Sequence, residues 1–143
     1  MAELRFTIEL PPVTKKNSQR IAKRGNKVFP VQSKAYVAYE NSAIPFCPPS
    51  MIDSPVNIEA HYFMPTRRRV DITNLHSALH DVLVKAWTIE DDNCTIVTGT
   101  DGSRVHYDKE HPRTEIIITP SNDVDENFLK QPKQPKTTES NRG

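Results

Sequence analysis

Apolar and polar positions change their period several times along the chain, and each change marks an expected element. Leu4 to Leu10 alternate and then stop at Pro11-Pro12, which cannot continue a ladder, so a first strand is expected there. The next stretch, VTKKNSQRIAKRGNK, is polar, basic and contains Gly25. It reads as an exposed loop, or as a hairpin with KVFPV as its return strand. Ser33 to Ala43 opens with an N-cap candidate and spaces Tyr36, Val37 and Tyr39 as a helix does. Pro45, Pro48, Pro49 and Pro55 impose a connector, after which Val56, Ile58, Ala60, Tyr62 and Met64 alternate with Asn57, Glu59, His61 and Phe63 in the clearest strand of the chain. Asp71 to about Trp87 has helical periodicity, and residues 94–100 and 113–119 read as strands, with His106, His111 and YDKEHPR in a loop between them. From about Pro120 the chain has few large apolar residues and two QPK repeats, so one domain over residues 1–120 and a disordered tail over 121–143 are expected.

Size and composition narrow this picture. A chain of 143 residues and 16.3 kDa can bury one core without metals or disulfides. No run of 18 apolar residues offers a membrane span, and Glu3, Arg5 and Glu9 interrupt any signal-peptide core, so a cytoplasmic protein is expected. Cys47 and Cys94 have no CxxC spacing, which argues against a zinc ribbon and for free thiols, buried or half-buried. The net charge of +1 hides a segregation: residues 1–40 hold eight Lys/Arg against three Glu, a local charge of +5, and Arg67, Arg68 and Arg69 precede an Asp-rich region. Such segregation suits a polyanionic partner.

The Asp71–Trp87 helix carries the candidate chemistry. At about 100° per residue, Ile72, Leu75, Leu79, Val82, Leu83 and Ala86 fall in one core-facing sector. Asp71, Asn74, Ala78, Asp81 and Lys85 share the adjoining edge, with small Ala78 leaving room for a ligand, and Asp91-Asp92 follow the helix. Carboxylates near basic residues suit Mg2+, which needs one or two of them because it keeps several waters. The same residues admit a structural reading: Asp71 at the positive end of its own helix, Asp81 paired with Lys85, and Asp91-Asp92 in a turn. His76 and His80 at i, i+4 have a zinc-like spacing but lack a third ligand and the glutamate of HExxH. With Thr73, Val84 and Trp87 they form a face that suits either a dimer contact or a surface on which Trp87 folds inward.

The stretch RRRVDITNLHSALHDVLVKAWTIEDD resembles the RusA family of Holliday-junction resolvases. That family's signature runs from a basic cluster through D-[LI]-D-N-L-x-K-A to D-A-L and then an acidic D-D pair. The first strand closing in Pro11-Pro12 and the strand leading into MPTRRR also fit, so the resemblance covers about residues 3–119. It implies an α+β fold, with a small mixed sheet and two main helices packed on it. It further implies a homodimeric, Mg2+-dependent endonuclease, with Mn2+ as an alternative ion, that nicks opposed strands of four-way junction DNA. No small-molecule cofactor is implied, and the host is a bacterium or its phage. By position, Asp71, Asn74, Asp81, Asp91 and Asp92 match the signature; Asp71 and Asp92 would be the main metal ligands, with Asp91 and Asp81 as further ligands or groups that orient water.

Two positions depart from the signature. Thr73 stands where an Asp is usual and Ser77 where a Lys is usual, which removes a carboxylate and a charge that stabilises the transition state. An alternative reading is therefore a weakened or inactive junction-binding protein. In either reading Lys15, Lys16, Arg20, Lys23, Arg24, Arg67, Arg68, Arg69 and Lys85 are the candidate phosphate contacts.

Overall fold

The computed structural model describes residues 2–14, 19–24, 27–32, 34–122 and 124–129, with the segments 19–24 and 27–32 described by their backbone pairing. Strand β4 (Val56–Met64) is the spine: it pairs antiparallel with β7 (Arg113–Pro120), which pairs antiparallel with edge strand β1 (Leu4–Ile8). On its other side β4 pairs in parallel with two short strands, β5 (Val97–Gly99) and β6 (Arg104–Tyr107). The result is a mixed five-stranded sheet, separate from a ribbon in which β2 (Gln19–Arg24) pairs antiparallel with β3 (Lys27–Gln32). Helices α1 (Lys34–Ala43) and α2 (Ile72–Lys85) complete the expected α+β arrangement, and a short α3 (Glu126–Leu129) follows the sheet. Among the described residues no helix is long and apolar enough to cross a membrane.

Period-two alternation decides which face of β4 is buried. Val56, Ile58, Ala60 and Tyr62 are buried, whereas Asn57, Glu59, His61 and Phe63 are half-buried on the opposite face. The core stripe of α2, Leu75, Leu79, Val82 and Leu83, joins these residues together with Ile8, Ile116 and Ile118. Fully burying an aliphatic side chain contributes about 1.5–3 kcal/mol, so this stripe accounts for much of why α2 docks where it does. Ala78 is 1% exposed and belongs to this core, so it leaves no opening on the polar edge. Position 78 adjoins the apolar sector closely enough for a methyl group to be drawn in.

Residues β5 and β6 behave as one interrupted edge strand. At the break, Ser103 Oγ accepts from the Ala60 amide at 2.9 Å, and the Asn57 side chain brackets Asp101, accepting from its N–H at 2.8 Å and donating to its carbonyl at 3.1 Å. Side chains thus replace ladder bonds that the break removes. Gly102 turns with φ of +89°, and a Cβ there would lie 2.8 Å from the Glu59 carboxyl carbon.

Several expected boundaries differ. Of the two readings of the basic segment after Thr14, the hairpin with KVFPV as return strand is the one observed, as β2 and β3, and the expected N-cap Ser33 lies outside the described residues. The strand expected at residues 94–100 is confined to Val97–Gly99. Before it, the Asn93 carbonyl accepts from Ile96 and Val97 and its side-chain oxygen from Thr95, winding residues 94–96 into a turn. Cys94 is consequently exposed, against the expectation of a buried or half-buried thiol, while Cys47 is buried and free. His106 lies in β6 instead of a loop. Residues 130–143 of the expected tail lie outside the described residues.

Because Leu79 is 1% exposed at the centre of the α2 seam, Leu79→Ala is expected to lower unfolding free energy by about 2–5 kcal/mol in urea titration.

Candidate functional site

Strand β4 ends at Met64, whose carbonyl accepts from the Asp108 amide at 2.9 Å, and the chain then turns through Thr66 and Arg67–Arg69 into α2. The Arg67 guanidinium lies over the Tyr107 ring, 4.8 Å from its centroid. Arg68 and Arg69 line a cleft of about 230 Å3 walled by Pro12, Val13, Met64 and Val70. Among the described residues, none of these three guanidiniums has a carboxylate partner. By contrast, Arg5 pairs with Glu3, and Arg113 pairs with Asp108 at 3.0 Å and Glu115 at 2.8 Å. The loop is thus an unneutralised cationic surface. Lys15 and Lys16 lie outside the described residues, and Arg20, Lys23 and Arg24 stand on β2.

Asp71 is the N-cap of α2, with extended backbone at φ −85° and ψ 125°. Its carbonyl accepts from Asn74 and Leu75, but its side chain makes no capping bond; among the described residues the carboxylate accepts from the Asn74 amide side chain, at 3.3 Å. Thr73 and Ser77 are exposed on α2. After the helix, Met51 N–H donates to Trp87, Ile52 N–H to Thr88, and Glu90 N–H back to Ile52, pinning residues 87–90 along 51–52. This brace delivers Asp91 and Asp92 to their loop. Asp91 accepts from Asn93 Nδ2 at 3.0 Å and from the Asp92 amide at 2.8 Å, and these bonds hold its carboxyl below the usual range. Asp92 is pushed upward, first by desolvation and then by the negative charges of Asp91 and Asp81.

Asp81, Asp91 and Asp92 therefore form one electrostatic group. Asp71 begins α2 about 15 Å earlier along the helix axis than Asp81. Among the described residues no three His, Cys, Asp or Glu side chains converge closely enough to hold a metal ion between them. The donor chemistry nonetheless fits Mg2+, which asks for one or two carboxylates and retains water. Crowded like charges at Asp92 are also what a cation would relieve.

Pattern reading missed the acid next to this group. Glu40 of α1 is 6% exposed and pairs with Lys85 Nζ at 2.9 Å, a partner for Lys85 that the sequence reading did not name. The charges of Glu40 and Asp81 both reach buried Tyr36, whose hydroxyl is raised above its ordinary range mainly by desolvation. The only sequence signal was Tyr36 and Glu40 at i, i+4. On the other side of α2, His76 Nδ1 meets the Tyr62 hydroxyl at 2.6 Å and its ring stacks parallel to His80. That face is therefore partly engaged by the sheet, while Trp87 is 60% exposed with φ of +63° and does not fold inward.

Residues 9–119 match the family model described as endodeoxyribonuclease RusA. No curated protein matches the chain.

Two titrations check these electrostatics. Carboxyl NMR of the metal-free protein is expected to show Asp92 titrating above Asp91, and Asp91→Asn to move Asp92 downward; equal values would contradict the crowding. Burial, then the neighbouring His76, lowers His80 to about 4, with Asp81 opposing. The unfolded chain then binds more protons between about pH 6.5 and 4, so stability is expected to fall through that window on acidification, by up to roughly 3 kcal/mol. Urea unfolding at a series of pH values, with His80→Gln flattening the slope, measures this.

Proposed function

The chain belongs to the RusA endodeoxyribonuclease family, and from that premise we propose that it resolves four-way DNA junctions by paired, Mg2+-dependent nicks. The observation that supports the metal-dependent reading is the adjacent Asp91–Asp92 pair after α2, with the Asp91 carboxylate held by Asn93 Nδ2 at 3.0 Å and the Asp92 amide at 2.8 Å. In this reading Asp92 is the principal cation ligand, Asp91 is oriented beside it by Asn93 and its own neighbouring amide, and Asp81 adds its field from α2. Asp71, positioned with Asn74 at the head of α2, supplies a further carboxylate next to the arginine loop.

When bound, Mg2+ supplies charge neutralisation at the scissile phosphate and a water of lowered pKa. The chain's own residues do the rest. Arg67, Arg68 and Arg69 draw the phosphodiester backbone toward the head of α2, together with the lysines and arginines of the N-terminal segment, so affinity is salt-dependent and carries little sequence information. Arg67 is pre-oriented by Tyr107, which lowers the entropy lost on contact. The products are a 5′-phosphate and a 3′-hydroxyl. A homodimer presents two such surfaces to a substrate that itself has two-fold symmetry.

A second reading, a junction-binding protein without cleavage, is favoured by the separation of Asp71 from the Asp81, Asp91 and Asp92 group, and by Thr73 and Ser77.

Cleavage of a synthetic four-way junction beside a linear duplex separates the two. Paired nicks are expected with Mg2+ and not with chelator. Asp91→Asn is expected to lower the rate about 10–100-fold, as loss of a positioning partner does, and Asp92→Asn to lower it further. Tight, salt-sensitive junction binding with no nicks under any divalent ion would establish the second reading. Affinity that stays flat as salt rises would remove the phosphate contacts.

A further inference from the structure

Three features lie outside the carboxylate group. Trp87 and Met51 are exposed side by side, but nothing in the structure identifies what would cover them. On the open face of the sheet, Glu59 Oε2 lies 2.6 Å from His61 Nε2 and His61 Nδ1 lies 2.9 Å from His106 Nε2, but Glu59 and His106 meet different nitrogens of the His61 ring, and among the described residues no three such donors converge on a metal position. The third is the cleft in front of α2.

Its lining divides by chemistry. Pro12, Met64 and Val70 present apolar surface, Thr66 presents a hydroxyl at the rim, and Arg68 and Arg69 present two guanidiniums without carboxylate partners among the described residues. Two guanidiniums without carboxylate partners among the described residues, at a cleft whose lining mixes polar groups with apolar side chains, suit a ligand that is anionic at one end and flat and weakly polar at the other. Met64 suits the flat part, because its polarisable thioether packs well against aromatic rings. A volume of about 230 Å3 falls below the ~300–1,000 Å3 of pockets for drug-sized ligands, so it accepts one nucleobase and not a stacked pair. Val70 lies in the wall immediately before Asp71, which places the cleft at the head of the helix that carries the acids.

We propose that this cleft receives a single nucleotide unstacked from the branch point of the DNA, with its base against Met64, Val70 and Pro12 and its phosphate on Arg68 and Arg69. This rests on the junction-nuclease reading and adds to it a physical source of selectivity. Extracting a base from continuous duplex costs a few kcal/mol of stacking and pairing, and least where the stack is already interrupted. A branch point is such an interruption. The cleft therefore favours branched over linear DNA without reading base edges, while the arginines hold the strand in either case.

The test places 2-aminopurine, whose fluorescence rises on unstacking, at each branch-point position of a four-way junction, in chelator so that only binding is read. The full chain is expected to raise the emission several-fold at one or more branch positions, and not in a linear duplex carrying the same probe. Thr66→Phe, which fills the cleft from an exposed position, is expected to abolish the rise and to lower the ratio of junction to duplex affinity several-fold, with an unchanged far-ultraviolet spectrum and melting temperature. Tight junction binding by the wild-type chain with no rise at any branch position would overturn the proposal and leave the junction reading standing, as would an undiminished rise in folded Thr66→Phe. Failure of the wild-type chain to prefer junction over duplex would overturn the junction reading, and the cleft assignment with it.

Discussion

The inward residues of β4 meet the apolar stripe of α2 along one dry seam, with Val56 and Ile58 at 0% exposure opposite Leu79, Val82 and Leu83. That seam fixes the rotation of α2 about its axis. Turned by one residue, about 100°, the helix would bury Asn74 or Asp81 and expose Leu79. In the observed rotation Asp71 heads the helix beside the arginine loop, and Asp81 faces the loop that bears Asp91 and Asp92. The Tyr62 hydroxyl on His76 and the Glu40–Lys85 pair flank the seam and resist rotation either way.

Charge is distributed to match. Negative groups collect around Asp81, Asp91 and Asp92, where desolvation first and then the neighbouring charges push Asp92 upward. Arg67–Arg69, without carboxylate partners among the described residues, collect at the opposite end of α2. Elsewhere Arg5, Lys85 and Arg113 are paired locally, with Glu3, Glu40, and Asp108 and Glu115 respectively, while Arg104 donates to the Ser103 carbonyl. Among the described residues, three adjacent guanidiniums thus stand without carboxylates at one end of the helix while carboxylates crowd together at the other. A polyanion that brings its own counterions, bound together with a hydrated cation, relieves both.

Much of this was legible in the sequence because it is written in local periodicity. Alternation over Val56–Met64 and the 3.6-residue stripe from Ile72 to Ala86 gave both the elements and their buried faces, and the basic run and the acids stood in plain view. What escaped depends on contacts between distant residues. Strand β6 is four residues long with one aliphatic side chain, and exists because β4 offers it a parallel ladder. Burial of Glu40 depends on Lys85, 45 positions later, and no helical pattern within α1 announces it. The cleft is assembled from residues 12–14 and 64–70, and only the fold shows that the second and third arginines line it while the first is held by Tyr107.

The central claim is that the crowded carboxylates after α2 form the cation seat of a DNA-cleaving protein. Titrating Mg2+ into the protein while following its aspartate carboxyl resonances tests this most directly. The account predicts saturable shifts at Asp91 and Asp92, lost in Asp92→Asn. Shifts confined to Asp71, or none at any aspartate in a preparation that cleaves junctions, would contradict it.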